Sequence, residues 1–305
     1  MSMFCYQCEQ AAMGTGCTKQ GICGKDATTA TLQDLLLHAT KGISMYAHRA
    51  AELGVHDREV DVFTIEALFT TVTNVDFDPE RLRGWLVRAA EVKKKAKGMY
   101  ENAASDAGKT PETLGGPAAW EPASELSDLV CQGMEVGIER RRETTDPDIL
   151  SLQEIVTYGV KGAAAYADHA QFLGKEDPAV YAMFHEALNL LTKPNPTVDE
   201  LLGMALKTGE LNLKAMELLD AANTGAYGHP EPTAVRIEPV KGKAILVSGH
   251  DLKDLETLLK QTEGKGINIY THGEMLPAHG YPELHTYPHL AGNYGGAWQD
   301  QRAEF

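Results

Sequence analysis

One stretch of this 305-residue chain occurs twice, and that repetition limits the fold more than any other feature. Leu32-Gln33-Asp34 returns as Leu152-Gln153-Glu154, an offset of 120 residues. At the same offset Lys41-Gly42 matches Lys161-Gly162, Tyr46-Ala47 matches Tyr166-Ala167, Leu53-Gly54 matches Leu173-Gly174, and Glu66-Ala67-Leu68 matches Glu186-Ala187-Leu188. Chance does not hold one offset over such a distance. Each copy reads as three helices. Leu32, Leu35, Leu36, Ala39, Ile43, Tyr46, Ala47 and Ala50 recur at helical spacing and make one apolar face. A second helix is expected over roughly 58–72 and a third from Pro79 with Asp78 as its cap. The second copy predicts helices near 151–172, 177–191 and 197–222. Thr31-x-x-Asp34 and Ser151-x-x-Glu154 read as capping boxes, and Gly54 and Gly174 as the stops of the first helices. A helix with one apolar stripe must bury it, and three helices on short loops pack together.

Between the copies lie a Pro/Gly-rich connector, 108–122, and a helix-like segment around 125–137. After Asn223 the pattern changes. Lys243 to Ser248 is a short apolar run ending at Gly249; Leu252, Leu255, Leu258 and Leu259 follow at helical spacing; Ile267 to Thr271 is a second short run. Strand, helix, strand at this spacing reads as a βαβ unit with parallel strands. From Met275 to Phe305 Pro, Gly, His and Tyr are frequent and periodicity is weak. Two strands are few for a parallel sheet, so this region reads as the beginning of a Rossmann-like α/β domain. The expected fold class is multidomain α and α/β: two repeated three-helix units, then the start of a parallel α/β domain.

A content of 43% hydrophobic and 23% charged residues suits a globular chain with a full core and excludes disorder and fibre. The 28 basic and 43 acidic residues leave a formal net charge of −15 without a Lys/Arg stripe, which argues against a nucleic-acid partner. No stretch reaches the roughly 20 apolar residues of a membrane span. The start, Met1-Ser2-Met3-Phe4-Cys5, lacks the basic and apolar segments of a secretory signal, so the cytoplasm is expected.

Four of the five cysteines fall between positions 5 and 23, spaced C-x2-C-x8-C-x5-C. Clustered thiols in a reducing compartment point to a metal centre rather than to disulfides. Zinc and iron–sulfur both accept four thiolates. The unequal spacing departs from paired zinc knuckles and suits the larger cubane; Gly14, Gly16, Gly21 and Gly24 would let backbone amides approach inorganic sulfide. Cys131 stands apart from the cluster, and a lone cysteine on an apolar helical face reads as core packing.

The opening MSMFCYQCEQAAMGTGCTKQGICGKDATTATLQDLLLHATKGI closely resembles the start of the hybrid cluster proteins, also called prismane proteins or hydroxylamine reductases. The resemblance continues through 225–228 (GAYG), 248–254 (SGHDLKD), 270–277 (YTHGEMLP) and 292–296 (GNYGG), and so covers the chain. It implies a four-iron cubane, [4Fe-4S], on Cys5, Cys8, Cys17 and Cys23, the spacings resembling the four-iron rather than the wider-spaced two-iron version. It also implies a second, hybrid iron–sulfur–oxygen cluster where hydroxylamine is reduced to ammonia and water. The positions matching its His and first Glu ligands are His250 and Glu274. Each follows a predicted strand, at the carboxyl ends where open α/β sheets place ligands, and an imidazole with a carboxylate suits an iron that also binds oxygen or nitrogen. His272, His279, His285 and His289 read as parts of a loop covering the cleft, with His272 a candidate support or proton donor.

The family pattern continues beyond residue 305 and supplies further cysteines and another glutamate. The resemblance therefore implies an N-terminal part that holds the cubane but only a share of the hybrid-cluster shell. The expected organisation is 1–30, the cysteine-rich iron–sulfur loop; 31–105, the first three-helix unit; 106–147, a connector; 148–224, the second three-helix unit; and 225–305, the beginning of the α/β domain with the hybrid-cluster ligands. The implied activity is hydroxylamine reduction, with nitric oxide a related substrate. The expected partners are a small nitrogenous substrate and a separate redox donor protein, because no G-x-G-x-x-G loop is present to bind a dinucleotide. A non-catalytic electron-transfer module and a zinc-stabilised helical scaffold are the competing readings.

Overall fold

A computed structural model describes residues 3–73 and 75–305. It divides into two compact units, Met1–Asp168 with Glu176–Met216 and His169–Lys175 with Glu217–Phe305. In chain order the helices are α1 (Ala27–Ala51), α2 (Arg58–Thr70), α3 (Pro79–Asp106), α4 (Leu126–Val136), α5 (Ile138–Thr144), α6 (Pro147–Phe172), α7 (Pro178–Leu190) and α8 (Val198–Tyr227). The chain is mostly helical up to this point. A small parallel sheet follows.

The repeat is visible in the helix ends. Ala27 and Pro147 open α1 and α6, and Arg58 and Pro178 open α2 and α7, each pair 120 residues apart. The caps repeat too. Asp26 accepts from the Thr29 amide at 2.7 Å, while Asp146 accepts from Asp148 at 3.0 Å and Ile149 at 3.3 Å. Asp57 accepts from the Glu59 and Val60 amides, and Asp177 from Ala179 at 2.8 Å. Each carboxylate satisfies amides that the first helical turn leaves unbonded.

The expected capping boxes are displaced by these aspartates. Helices α1 and α6 begin a turn earlier, so Thr31 and Ser151 lie inside them, and their hydroxyls donate to the carbonyls of Ala27 at 2.8 Å and Pro147 at 2.7 Å. The stops agree with expectation: Gly54 and Gly174 both have φ of +77°, and the Val55 and Lys175 amides each reach back at 3.0 Å to the carbonyls of Ala50 and Ala170.

The first helical copy buries Leu32, Leu35, Leu36 and Ile43 of α1 against Phe63 of α2, Leu82 and Leu86 of α3, and Leu129 of α4. Burial of such side chains stabilises by about 1.5–3 kcal/mol each. The connector is less open than its composition suggests. It forms a 3-10 turn, Gly116–Ala119, laid against α1 so closely that a Cβ on Gly42 would stand 2.2 Å from the Pro117 carbonyl oxygen. The short polar helix α5 was not expected; its first amide, Ile138, donates to Asp34 of α1 at 3.3 Å.

The sheet comprises β1 (Lys243–Ser248), β2 (Ile267–His272) and β3 (Leu290–Gly295), all parallel, in the order β1-β2-β3. Helix α9 (Leu252–Thr262) connects β1 to β2, capped by Asp251 on the Lys253 and Asp254 amides. A 3-10 turn, Gly273–Gly280, and the single-turn helix α10 (Pro282–His285) lead to β3; α11 (Gln301–Glu304) follows. The expectation of two strands is corrected to three. Strand β3 carries two glycines and no alternation, and one of them has a steric reason: a Cβ on Gly292 would lie 2.3 Å from the Arg236 carbonyl, which accepts from the Asn293 amide at 2.9 Å. No helix among the described residues is long and apolar enough to cross a membrane.

Candidate functional site

The cysteine loop is pinned as a miniature two-stranded element. Cys5 and Cys17 exchange backbone hydrogen bonds, Cys5 amide to Cys17 carbonyl at 3.0 Å and the reverse at 2.8 Å. That pairing brings the first and third cysteines side by side although eleven residues separate them in sequence. The Ala12 amide donates to the Cys17 sulfur at 3.4 Å, and the Gly21 backbone lies so close to Cys23 that a Cβ there would be 2.9 Å from its sulfur. All four cysteines are free thiols; Cys17 is buried and the other three are partly buried.

Their electrostatics show that the sulfurs share one neighbourhood. Burial first pushes the Cys8 thiol up; a Gln10 backbone hydrogen bond opposes this, and the thiolates of Cys5, Cys23 and Cys17 push it further up. A thiol whose neighbours are three further thiols suits a cationic centre that would bind all of them as thiolates. Among the described residues no group of three or more His, Cys, Asp or Glu closes on a single-ion site.

Behind Cys5 lies a set of buried charges that sequence reading did not anticipate. Lys25, Lys41, Lys161 and Glu154 are buried, and Asp34 and Arg141 are partly buried. Asp34 and Glu154 are repeat equivalents, as are Lys41 and Lys161, so α1 and α6 each contribute one acid and one lysine at the same positions. Arg141 of α5 forms a short ion pair with Glu154. Burial pushes Lys41 down to about 7, with Arg141 next, and Lys161 down to about 8, with Lys25 next. Burial likewise raises Asp34, against the pull of Lys161 and Arg141. The signal was present in the repeat, which keeps charge type at both offsets; periodicity alone assigns charged positions to solvent.

Lys161 ties this set to the cysteine loop. Its ammonium donates at 3.1 Å to Oε1 of Gln7, which lies between Cys5 and Cys8, and Gln7 Nε2 donates to Thr73 Oγ1 at 2.9 Å. Tyr6 packs edge-on to Tyr158 at 5.5 Å, and Arg142 stands 4.2 Å over the Phe4 ring. Cys131 is exposed on α4, which corrects its expected place in a core: the buried positions of that helix are Leu129, Val130 and Gly133.

In the other unit the parallel register pairs Ser248 with His272 at the ends of β1 and β2. Two residues further on each strand come His250 and Glu274, whose Nδ1 and Oε2 stand 3.6 Å apart with side-chain exposures of 43% and 70%. The His169 ring lies 5.0 Å from that of His250. The fold thus brings together the two residues that the sequence singled out. Two donors do not close the shell of an iron cluster.

Of the other C-terminal histidines His285 is exposed, and the remaining three are bonded to neighbours. His272 is fully buried at the end of β2, between Ser248 Oγ at 2.9 Å and Glu304 Oε2 at 3.2 Å. His279 bonds Thr271 at 2.8 Å, and His289 lies 3.0 Å from Thr262 Oγ1. Each is tied to the sheet or to α9 by its own partner, as the buried imidazoles of His272 and His279 require.

A loop of four free thiols on a mostly helical body, followed by a small parallel sheet, offers the donor set of a metal-thiolate protein. The chain belongs to the Prismane/CO dehydrogenase family, whose model matches residues 3–305. Proteins of this family carry iron–sulfur clusters. The chain is 56% identical over 303 residues to a hydroxylamine reductase of Syntrophobacter fumaroxidans, covering 99% of this chain and 55% of that protein. It is 54% identical to hydroxylamine reductases of Rhodospirillum rubrum and Geobacter sulfurreducens, covering 99% and 100% of this chain and 55% and 56% of theirs. The chain therefore spans about half the length of the curated relatives it matches. Among solved structures, a carbon monoxide dehydrogenase from Thermococcus sp. AM4 aligns with 98% of this chain and 43% of its own, at 14% identity and a TM-score of 0.31, too distant to define a shared fold.

Proposed function

We propose that Cys5, Cys8, Cys17 and Cys23 hold a [4Fe-4S] cluster that relays electrons in a hydroxylamine-reducing oxidoreductase, to whose catalytic centre His250 and Glu274 contribute. The observation that carries this reading is the 56% identity to a hydroxylamine reductase across a chain whose four clustered cysteines are free thiols. When bound, the cluster supplies one-electron transfer. The residues do the rest. The Cys5–Cys17 pairing positions two thiolates, Cys8 and Cys23 complete the donor set, and Gln7 and Lys161 anchor the loop to α6.

The overall reaction, NH2OH + 2 e⁻ + 2 H⁺ → NH3 + H2O, breaks one N–O bond and consumes electrons from a separate donor protein. Nitric oxide is a second candidate substrate of the same centre. His250 and Glu274, exposed at adjacent strand ends, supply an imidazole and a carboxylate to the side where an N–O substrate would bind. The expected compartment is the cytoplasm, where such thiols stay reduced. A second reading, an electron-transfer module without catalysis of its own, draws on the same pair, since these two donors leave a cluster shell open.

Anaerobic purification tests the central reading. The protein should contain about four irons and four inorganic sulfides per chain and show a broad visible absorption that dithionite bleaches. Cys17→Ser should lose the chromophore, and Cys131→Ser should keep it. A colourless zinc protein, or equal retention by both variants, would overturn the ligand assignment. Hydroxylamine turnover above a cluster-free control separates the enzyme from the relay.

A further inference from the structure

We infer that Lys161 is a positioning residue for the cysteine-bound centre, placing a buried positive charge beside Cys5 and thereby raising the reduction potential of that centre. The inference rests on the cubane reading and adds to it a residue outside the thiolate set. The Lys161 side chain is nearly inaccessible, so its charge is poorly screened by solvent. Its ammonium bonds Gln7, in the loop segment between the first two cysteines, and it lies within electrostatic reach of the Cys5 sulfur.

The cavity beside Cys5 is lined by three cationic side chains, Lys25, Arg141 and Lys161, and two carboxylates, Asp34 and Glu154. The lining therefore carries a positive surplus in a chain whose net charge is −15. Lys25 and Lys161, both buried, and the partly buried Arg141 face two acids here, a surplus that another anion at the same place would offset. A cluster held by four thiolates is such an anion, and it gains one further negative charge on accepting an electron. Fixed cations nearby favour the reduced form.

The test is an anaerobic redox titration followed by EPR, with iron and sulfide measured on each sample. Lys161→Met should disfavour the reduced form by about tenfold at a given potential, a fall of about 59 mV for a one-electron couple. Lys161→Arg should keep the wild-type midpoint. Glu154→Gln, which removes an opposing charge, should move the midpoint upward. An unchanged midpoint in Lys161→Met with full iron and sulfide would overturn the inference, as would shifts of the same sign in Lys161→Met and Glu154→Gln. Should Lys161→Met fail to hold the cluster, Glu154→Gln decides alone: a midpoint equal to or below wild type refutes the inference. Wild-type protein without iron and sulfide would instead refute the cubane reading, and this inference with it.

Discussion

Burial holds His38 of α1 neutral: it lowers the imidazole to about 4, and the neighbouring cations Lys41 and Lys93 push in the same direction. The consequence for stability has a definite sign. The unfolded chain takes up a proton near the ordinary value of about 6.5, whereas the folded chain resists it down to about 4, so unfolding binds protons between those limits. Stability should therefore fall as pH drops from about 6.5 towards 4, with a loss near pH 5 on the order of 1–2 kcal/mol from this group. His38→Gln should flatten that part of the profile in urea titrations at pH 7 and 5; an unaltered pH profile would contradict it. The same residues show what the chain conceals from a linear reading. Asp34, Lys41, Glu154 and Lys161 are legible as repeat markers, but helical periodicity gives no sign that polar side chains from two copies meet in one buried set. Cys131 misled in the opposite direction, since its helix turns a neighbouring face inward.

At the scale of elements, the two copies keep their helix ends and diverge in what surrounds them, and one pair of glycines exposes the difference. Gly42 and Gly162 are repeat equivalents within α1 and α6. Against Gly42 lies the Pro117 carbonyl, at 2.2 Å from where a Cβ would be, while nothing stands within 4 Å of a Cβ on Gly162. The same substitution should thus have opposite effects. Gly42→Ala should destabilise by about 1–3 kcal/mol, because backbone must move to admit the methyl group. Gly162→Ala should stabilise by up to about 1 kcal/mol through helix propensity alone. Denaturation midpoints of the two variants check both signs. Helix α7 adds a link between the copies: His185 bonds Ser44 of α1 at 2.9 Å and Asp61 of α2 at 3.0 Å, all three buried. Helices and their glycine stops are legible because one apolar stripe and one αL residue are local signals. Strand β3 and α5 are not. A strand with glycines at 292 and 295 has no alternation to read, and α5 is short and almost wholly polar, starting where Asp34 from α1 accepts its first amide.

For the whole molecule, the four thiol positions were readable from spacing alone, but not what steadies them. The loop over 3–25 has little core of its own: Met3, Gly16, Cys17 and Lys25 are its buried residues. It is held to the helical body by Gln7 on Thr73 and Lys161, by Phe4 under Arg142, and by Tyr6 against Tyr158. On the cubane reading, metal–thiolate bonding adds to these contacts, and its free energy becomes folding free energy for the segment it closes. Removal of the cluster should therefore loosen the loop while the leucine core of α1 and α3 stays closed. Hydrogen exchange measured anaerobically before and after cluster removal should show amides of residues 3–25 losing at least about tenfold in protection, those of Cys5 and Cys17 included. Amides around Leu35, Leu36, Leu82 and Leu86 should change little. Equal protection of the loop with and without iron would mean that the helical body alone orders it, and that the thiols are passengers rather than the fastening.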